Sequence, residues 1–223
     1  MFRWKWTCIQ EVTGTKQSKR CEQSMKVIGI TGGVGAGKSQ VLEYLQDKYG
    51  ATIIKTDDLG KKVQKKGTEC FQAIVEHFGE DILNEKGELD RPKLADIVFS
   101  DEKELDMLNA IVHPAVKEEI LRKLKGEERK STNLVLIESA ILNKVDYQSF
   151  CDEVWYIHTD EEIRIQRLMK NRGYTREKSL GIIGNQASED YFRAHTDFVV
   201  ENNGNVEKTW KQIDEGVRRN ETL

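Results

Sequence analysis

The sequence predicts an α/β fold, a three-layer sandwich in which helices cover both faces of a parallel sheet. Three observations predict it. From residue 25 onward, short β-branched apolar runs alternate with segments of helical period, and strands separated by helices build parallel βαβ units. A glycine-rich octet lies between the first such run and the first helix. The alternation is broken once, between residues 60 and 125, by a helix-only stretch that reads as an insertion at one edge of the sheet.

Residues 26–31 (KVIGIT) form the first strand, apolar and ending in glycines. Residues 38–49 follow as a helix, because Val41, Leu42 and Leu45 recur at core spacing. Residues 51–54 are a second short strand, and residues 57–78 a helix interrupted at Gly67 and stopped at Gly79. Between Ile82 and Leu89 the run Asn84-Glu85-Lys86-Gly87 marks a turn. Helices are expected over 91–99 and 101–124, the second carrying Leu105, Leu108, Ile111 and Val112 on one face. Residues 133–137 (NLVLI) and 153–158 (EVWYIH) are buried-type strands. A charged helix spans 160–171, and a polar, glycine-containing stretch continues to 190. The last strand is 197–200 and the last helix 206–218.

Composition narrows the possible partners. The 223 residues carry 35 Lys+Arg against 38 Asp+Glu, a net charge of -3, and 38% are hydrophobic, enough for a real core. The weak negative charge argues against a nucleic-acid footprint, which needs a basic face. No apolar run approaches the ~20 residues of a membrane span. Cys8, Cys21, Cys70 and Cys151 lack metal-ligand spacing, and His77, His113, His158 and His195 are too scattered to supply it. The cysteines read as reduced thiols of a cytoplasmic protein. Residues 1–24 lack periodicity and a secretory h-region. Five basic residues there (Arg3, Lys5, Lys16, Lys19, Arg20) face only Glu11 and Glu22, so the remainder is more acidic than the whole. Met25 directly precedes the first strand, and 1–24 are expected to be a disordered extension.

The strongest local signal is Gly32-Gly33-Val34-Gly35-Ala36-Gly37-Lys38-Ser39, which fits G-x-x-x-x-G-K-[ST] in a strand-to-helix context. Glycines let backbone N–H groups converge on phosphate oxygens without a Cβ in the way. The helix starting near Lys38 adds the positive end of its dipole. Lys38 is placed to reach the β and γ phosphates, and the Ser39 hydroxyl to ligate Mg²⁺. The octet therefore predicts nucleoside triphosphate binding by a P-loop NTPase fold.

Three chemistries compete for that loop. Asn143-Lys144-Val145-Asp146 matches the N-K-x-D of GTPases and Asp57-Asp58-Leu59-Gly60 their D-x-x-G. Asp57 follows Ser39 too closely for a switch segment and its strand to intervene. A motor or transporter ATPase needs a strand ending in an acid, which Val135-Leu136-Ile137-Glu138 fits loosely. A small-molecule kinase needs a carboxylate beside the acceptor hydroxyl and a cationic lid. Asp57, just past the second strand, suits the first role and also the N-capping of its own helix. Arg164, Arg167, Arg172 and Arg176, with Gly173 among them, suit the second. A nucleotide-hydrolysing regulatory module is the rival outside the kinases.

The segments IGITGGVGAGKSQV, AIVEHFG, GELDRPKLADIVFSDEKELDMLNAIVHPAV and DFVVENNG occur in that order. Over residues 25–215 the chain resembles the dephospho-CoA kinase family. The resemblance implies ATP-dependent phosphorylation of the ribose 3′-hydroxyl of dephospho-CoA, giving CoA and ADP, the last step of coenzyme A biosynthesis. It implies a nucleotide core (25–56, 130–171 and 190–223), a helical substrate domain (57–129) and a lid (172–189). Asp57 matches the acceptor-side carboxylate, and Arg167 a lid arginine, with Arg172 as second cation. Gly33, Val34, Gly35, Ala36, Gly37, Lys38, Ser39 and Gln40 form the ATP loop, and Asn202 lies in the segment near the adenine. ATP and dephospho-CoA are the implied partners of a monomer or small homo-oligomer. Four positions depart from the family: Lys55 stands for the first acid of a D-x-D pair, Gln40 for Thr, Ala140 for Pro, and Asn171-Arg172 for Arg-Asp.

Overall fold

The structure, a computed structural model, describes residues 25–139 and 147–219. The expected extension 1–24, the N-K-x-D match at 143–146 and Ala140 lie outside the described residues. Among the described residues the strands are β1 (Lys26–Thr31), β2 (Thr52–Lys55), β3 (Leu134–Glu138), β4 (Glu153–His158) and β5 (Phe198–Glu201). They pair in the order β2-β3-β1-β4-β5, all parallel. The helices are α1 (Lys38–Tyr49), α2 (Thr56–Val63), α3 (Glu69–Phe78), α4 (Arg91–Ser100), α5 (Glu102–Arg129), α6 (Glu161–Arg172), α7 (Arg176–Gly184), α8 (Glu189–Ala194) and α9 (Val206–Arg218).

Strand alternation sorts the core into two layers. Ile28, Ile30, Leu134 and Leu136 turn to one face and meet Val41, Leu42 and Leu45 of α1 and Ile213 of α9. Their neighbours Val27, Val135 and Ile137 turn to the other face and meet Val116, Ile120 and Leu124 of α5. α9 lies so close to the sheet that a Cβ on Gly216 would sit 2.8 Å from both Phe198 and Trp155. A third cluster has Cys70, Ile74, Ile82, Leu94 and Val98 packed against Leu105, Leu108 and Ile111 of α5, and it joins the second through Val63 and Val112. The turn read at Asn84–Gly87 is closed by an antiparallel bridge from Leu83 to Leu89. No described helix is long and apolar enough to cross a membrane.

The interruption expected at Gly67 divides 57–78 into two helices, because Gly67 takes a φ of 91° and Thr68 then caps α3 through Phe71 N–H. Two element readings change. The polar stretch after Arg172 contains α7 and α8, started by Thr175 and Ser188 caps. Both helices are too short for an apolar period to show. α5 runs to Arg129 with Pro114 inside it, since the charged residues past Leu124 are good helix formers.

α2, which carries Asp57, is tied to α5 by Glu119. This carboxylate accepts from Lys62 Nζ (2.5 Å) and from Arg122 Nε and NH2 (2.7 Å each). The two cations, Arg122 foremost, hold its pKa down at about 2 against an ordinary value of 4.5. Glu119→Gln is expected to lower stability by about 1 kcal/mol at neutral pH, solvent screening most of the attraction. A depressed carboxylate stabilises fully above its unfolded value, and the gain is lost as pH falls. Melting curves of the two proteins should therefore differ most above pH 4.5 and converge toward pH 2. Curves that stay parallel throughout would refute the tie.

Candidate active site

The carboxyl ends of β1, β2 and β3 open into a cavity of about 800 Å³, the place where open parallel sheets receive ligands. The glycine-rich loop leaves β1 and curls over it. Gly37 sits at a φ of 90° immediately before α1. A Cβ there would fall 2.3 Å from Asn202 Nδ2. No other residue type fits that backbone and that neighbour together.

Gly33, Val34, Gly35, Gly37, Lys38, Ser39 and Gln40 line the cavity, and so do Asp57, Arg167 and Arg172. Ala36 and Asn202 are buried behind the loop instead. Asn202 Nδ2 donates to Ala36 O at 2.8 Å, and its Oδ1 accepts from Thr209. Its side chain is therefore spent on the loop's shape. Thr159, at the end of β4, donates to the same Ala36 carbonyl at 3.0 Å and to Asn202 O at 3.1 Å.

Lys38 Nζ donates to Gly32 O at 2.7 Å and Gly33 O at 3.2 Å. Burial pushes its pKa below the ordinary value, Glu138 and Asp57 pull it back up, and Arg164 and Arg172 push it down. The field of the whole site thus converges on this ammonium. Glu138 ends β3 in register with Ile30 of β1 and Lys55 of β2, and it lines the cavity. Asp57 lies in the first turn of α2, whose N-cap is Lys55 with no side-chain cap bond. The N-capping role open to Asp57 in the sequence is not the one it takes.

The four arginines part company. Arg172 ends α6 and faces the cavity, beside Gly173 in left-handed backbone. Arg167 is held by acceptors, with NH1 on Gly35 O, Ala36 O and Thr159 Oγ1 (3.2–3.3 Å) and NH2 on Asn202 O at 2.8 Å. Arg164 grips Val34 O at 2.9 Å. Arg176 forms a two-pronged pair with Glu162 at 2.7 Å on the exposed surface. Thr159, Glu138 and Gln186 complete the surroundings, and of these only Glu138 carries a sequence signal.

Among the described residues, no group of three or more His, Cys, Asp or Glu side chains could hold a metal by itself. The Ser39 hydroxyl, with the Glu138 and Asp57 carboxylates in the same cavity, forms an all-oxygen set. That set suits Mg²⁺ held largely by phosphates and water.

A model of the dephospho-CoA kinase family matches residues 26–208. The chain belongs to the dephospho-CoA kinase family. Dephospho-CoA kinase of Carboxydothermus hydrogenoformans is 34% identical over 189 residues, 85% of this chain and 91% of that protein. The enzyme of that name from Listeria monocytogenes serovar 1/2a is 37% identical over 188 residues, 84% and 94% of the two chains. Among solved structures, TT1252 from Thermus thermophilus superposes with a TM-score of 0.73 at 28% identity, covering 88% of this chain and 98% of that one. Dephospho-CoA kinase from Campylobacter jejuni shares the fold, with a TM-score of 0.63 at 18% identity over 86% and 96% of the chains. In this chain Asn171 and Arg172 both stand at the cavity wall.

Proposed function

We propose that the protein transfers the γ-phosphoryl group of ATP to the ribose 3′-hydroxyl of dephospho-CoA, releasing CoA and ADP. The observation that carries the proposal is the meeting of the phosphate loop, Lys38 and Asp57 around one cavity. In it the amides of Gly35 to Ser39 receive the β-phosphate at the start of α1. Lys38 exchanges its two carbonyl partners for phosphate oxygens and balances the charge that develops on them. Asp57, across the cavity, accepts the proton of the 3′-hydroxyl as that oxygen bonds to the γ-phosphorus. The bond from the γ-phosphorus to the bridging oxygen breaks, and ADP leaves.

Arg172 closes over the transferring group, while Arg167 adds its charge from the flank of the loop that it holds in shape. Asn202 serves the nucleotide through that same loop. Ser39 would hold Mg²⁺, which when bound neutralises charge between the β and γ phosphates. Catalysis is then mainly positioning and electrostatics. The reading assigns residues 57–129 to the acceptor, with their own small core, and residues 172–189 to the lid. It sets the work in the cytoplasm, in a monomer or small homo-oligomer.

Incubation with ATP, Mg²⁺ and dephospho-CoA should give CoA and ADP in equal amounts, with ADP release that depends on the acceptor. ATP hydrolysis indifferent to dephospho-CoA would replace the kinase with a nucleotide-hydrolysing regulatory module.

A further inference from the structure

Val34, near the tip of the glycine-rich loop, is gripped on every side. Its N–H donates to Gln186 Oε1 at 2.9 Å. Its carbonyl accepts from Arg164 Nε at 2.9 Å. Its side chain packs on the small cluster of Ile165 and Leu168 from α6 and Ile183 from α7. The circle closes on itself, because Arg164 NH2 donates to the same Gln186 Oε1 at 2.6 Å. One amide oxygen thus accepts from a loop amide and from a guanidinium that itself holds that loop residue. Gln186 is in turn fixed at its own backbone, its N–H bonding Ile183 O at 3.1 Å as α7 ends. Arg164 lies flat against Gly33, where a Cβ would meet its NH2 at 2.3 Å.

This arrangement differs from the rest of the loop. Val34 and Ala36 both use their N–H groups within the protein, Ala36 on Gly33 O at 3.2 Å, but only the Val34 N–H goes to a side chain from outside the loop, while Gly35, Gly37, Lys38 and Ser39 line the cavity. A glycine-rich loop has several backbone shapes of similar energy, and only one aims its amides together. Something outside the loop must select that shape before phosphate arrives, or binding bears the ordering cost.

We propose that Gln186 is a positioning residue for the phosphate loop, acting with Arg164 as a brace. It locks Val34 to the far end of the lid segment and so pre-forms the amide cradle. The inference rests on the proposed nucleotide reading of that loop. It adds that the segment after α7 is anchored to the phosphate loop through the Gln186 side chain.

The test uses the full chain and Mg·ADP as the probe, with titration calorimetry for affinity. Gln186→Ala should weaken ADP about tenfold, the scale of a lost brace of shared and charge-assisted hydrogen bonds. The KM for ATP should rise with it, while the KM for dephospho-CoA stays the same and the melting temperature moves by less than ~3 °C. Because the two side chains act as one unit, adding Gln186→Ala to Arg164→Ala should cost less than about twofold more. Gly33→Ala, which pushes the Arg164 guanidinium aside without touching Gln186, should reproduce the loss, and it carries the test if Gln186→Ala folds poorly. Unchanged ADP affinity in Gln186→Ala, simple multiplication of the two losses, or an equal rise in both KM values would overturn the brace alone. A wild-type protein that binds no ADP would overturn the nucleotide reading, and the brace with it.

Discussion

Lys38→Ala is expected to lower kcat by about 10³-fold, the range seen when a charge aimed at a developing phosphoryl or oxyanion is removed. The expectation follows from where the ammonium sits. It is half-buried beneath the loop on the carbonyls of Gly32 and Gly33, and desolvation is the main reason its pKa is depressed. A cation partly withdrawn from water interacts more strongly with an arriving phosphate, because less solvent screens it. The fold should tolerate the change, since the sheet core beneath is built from Ile28, Ile30, Leu136 and Ile157 and does not include this side chain. Steady-state rates with a thermal melt on the same sample decide the matter. A folded variant that keeps more than a tenth of the wild-type kcat (roughly 1.4 kcal/mol) would sink the role.

Asp57→Asn should lower kcat by about 10²- to 10⁴-fold, the usual worth of a positioned general base. ATP affinity should change little, within about threefold, because Asp57 belongs to α2 and not to the loop. The pairing of a large kcat effect with a small affinity effect is the diagnostic. A mere helix-stabilising carboxylate would move the melting temperature and leave both kinetic constants alone. An unchanged kcat would refute its role at the acceptor.

The two sites of largest effect were legible in the sequence for different reasons. Lys38 lies in a contiguous octet whose chemistry depends on near neighbours, so residue types and spacing are enough. Asp57 is legible because it follows a strand end directly, and strand ends in a parallel sheet share one edge. The family resemblance named the reaction, and the family match and relatives agree with it. The element readings failed where apolar period is absent. α7 and α8 have 9 and 6 residues and are set by the capping side chains of Thr175 and Ser188.

Roles that need partners distant in the chain stayed hidden. Arg164, Arg167, Arg172 and Arg176 look equivalent in the sequence, four cations around one helix. Folding gives Arg176 to Glu162, Arg164 to Val34 and Gln186, Arg167 to the loop carbonyls, and only Arg172 to the open cavity without such a grip. Asn202 likewise turned out to be buried against Ala36, 166 positions earlier.

By itself, the sequence determined the parallel α/β sheet, the phosphate loop and the family, all of which are written in local pattern and period. Only the tertiary structure decided which arginine reaches the cavity without a bond to the loop, which side chains grip Val34 and where Gln186 sits. Those answers depend on hydrogen bonds between segments more than a hundred residues apart, and no spacing along the chain encodes them.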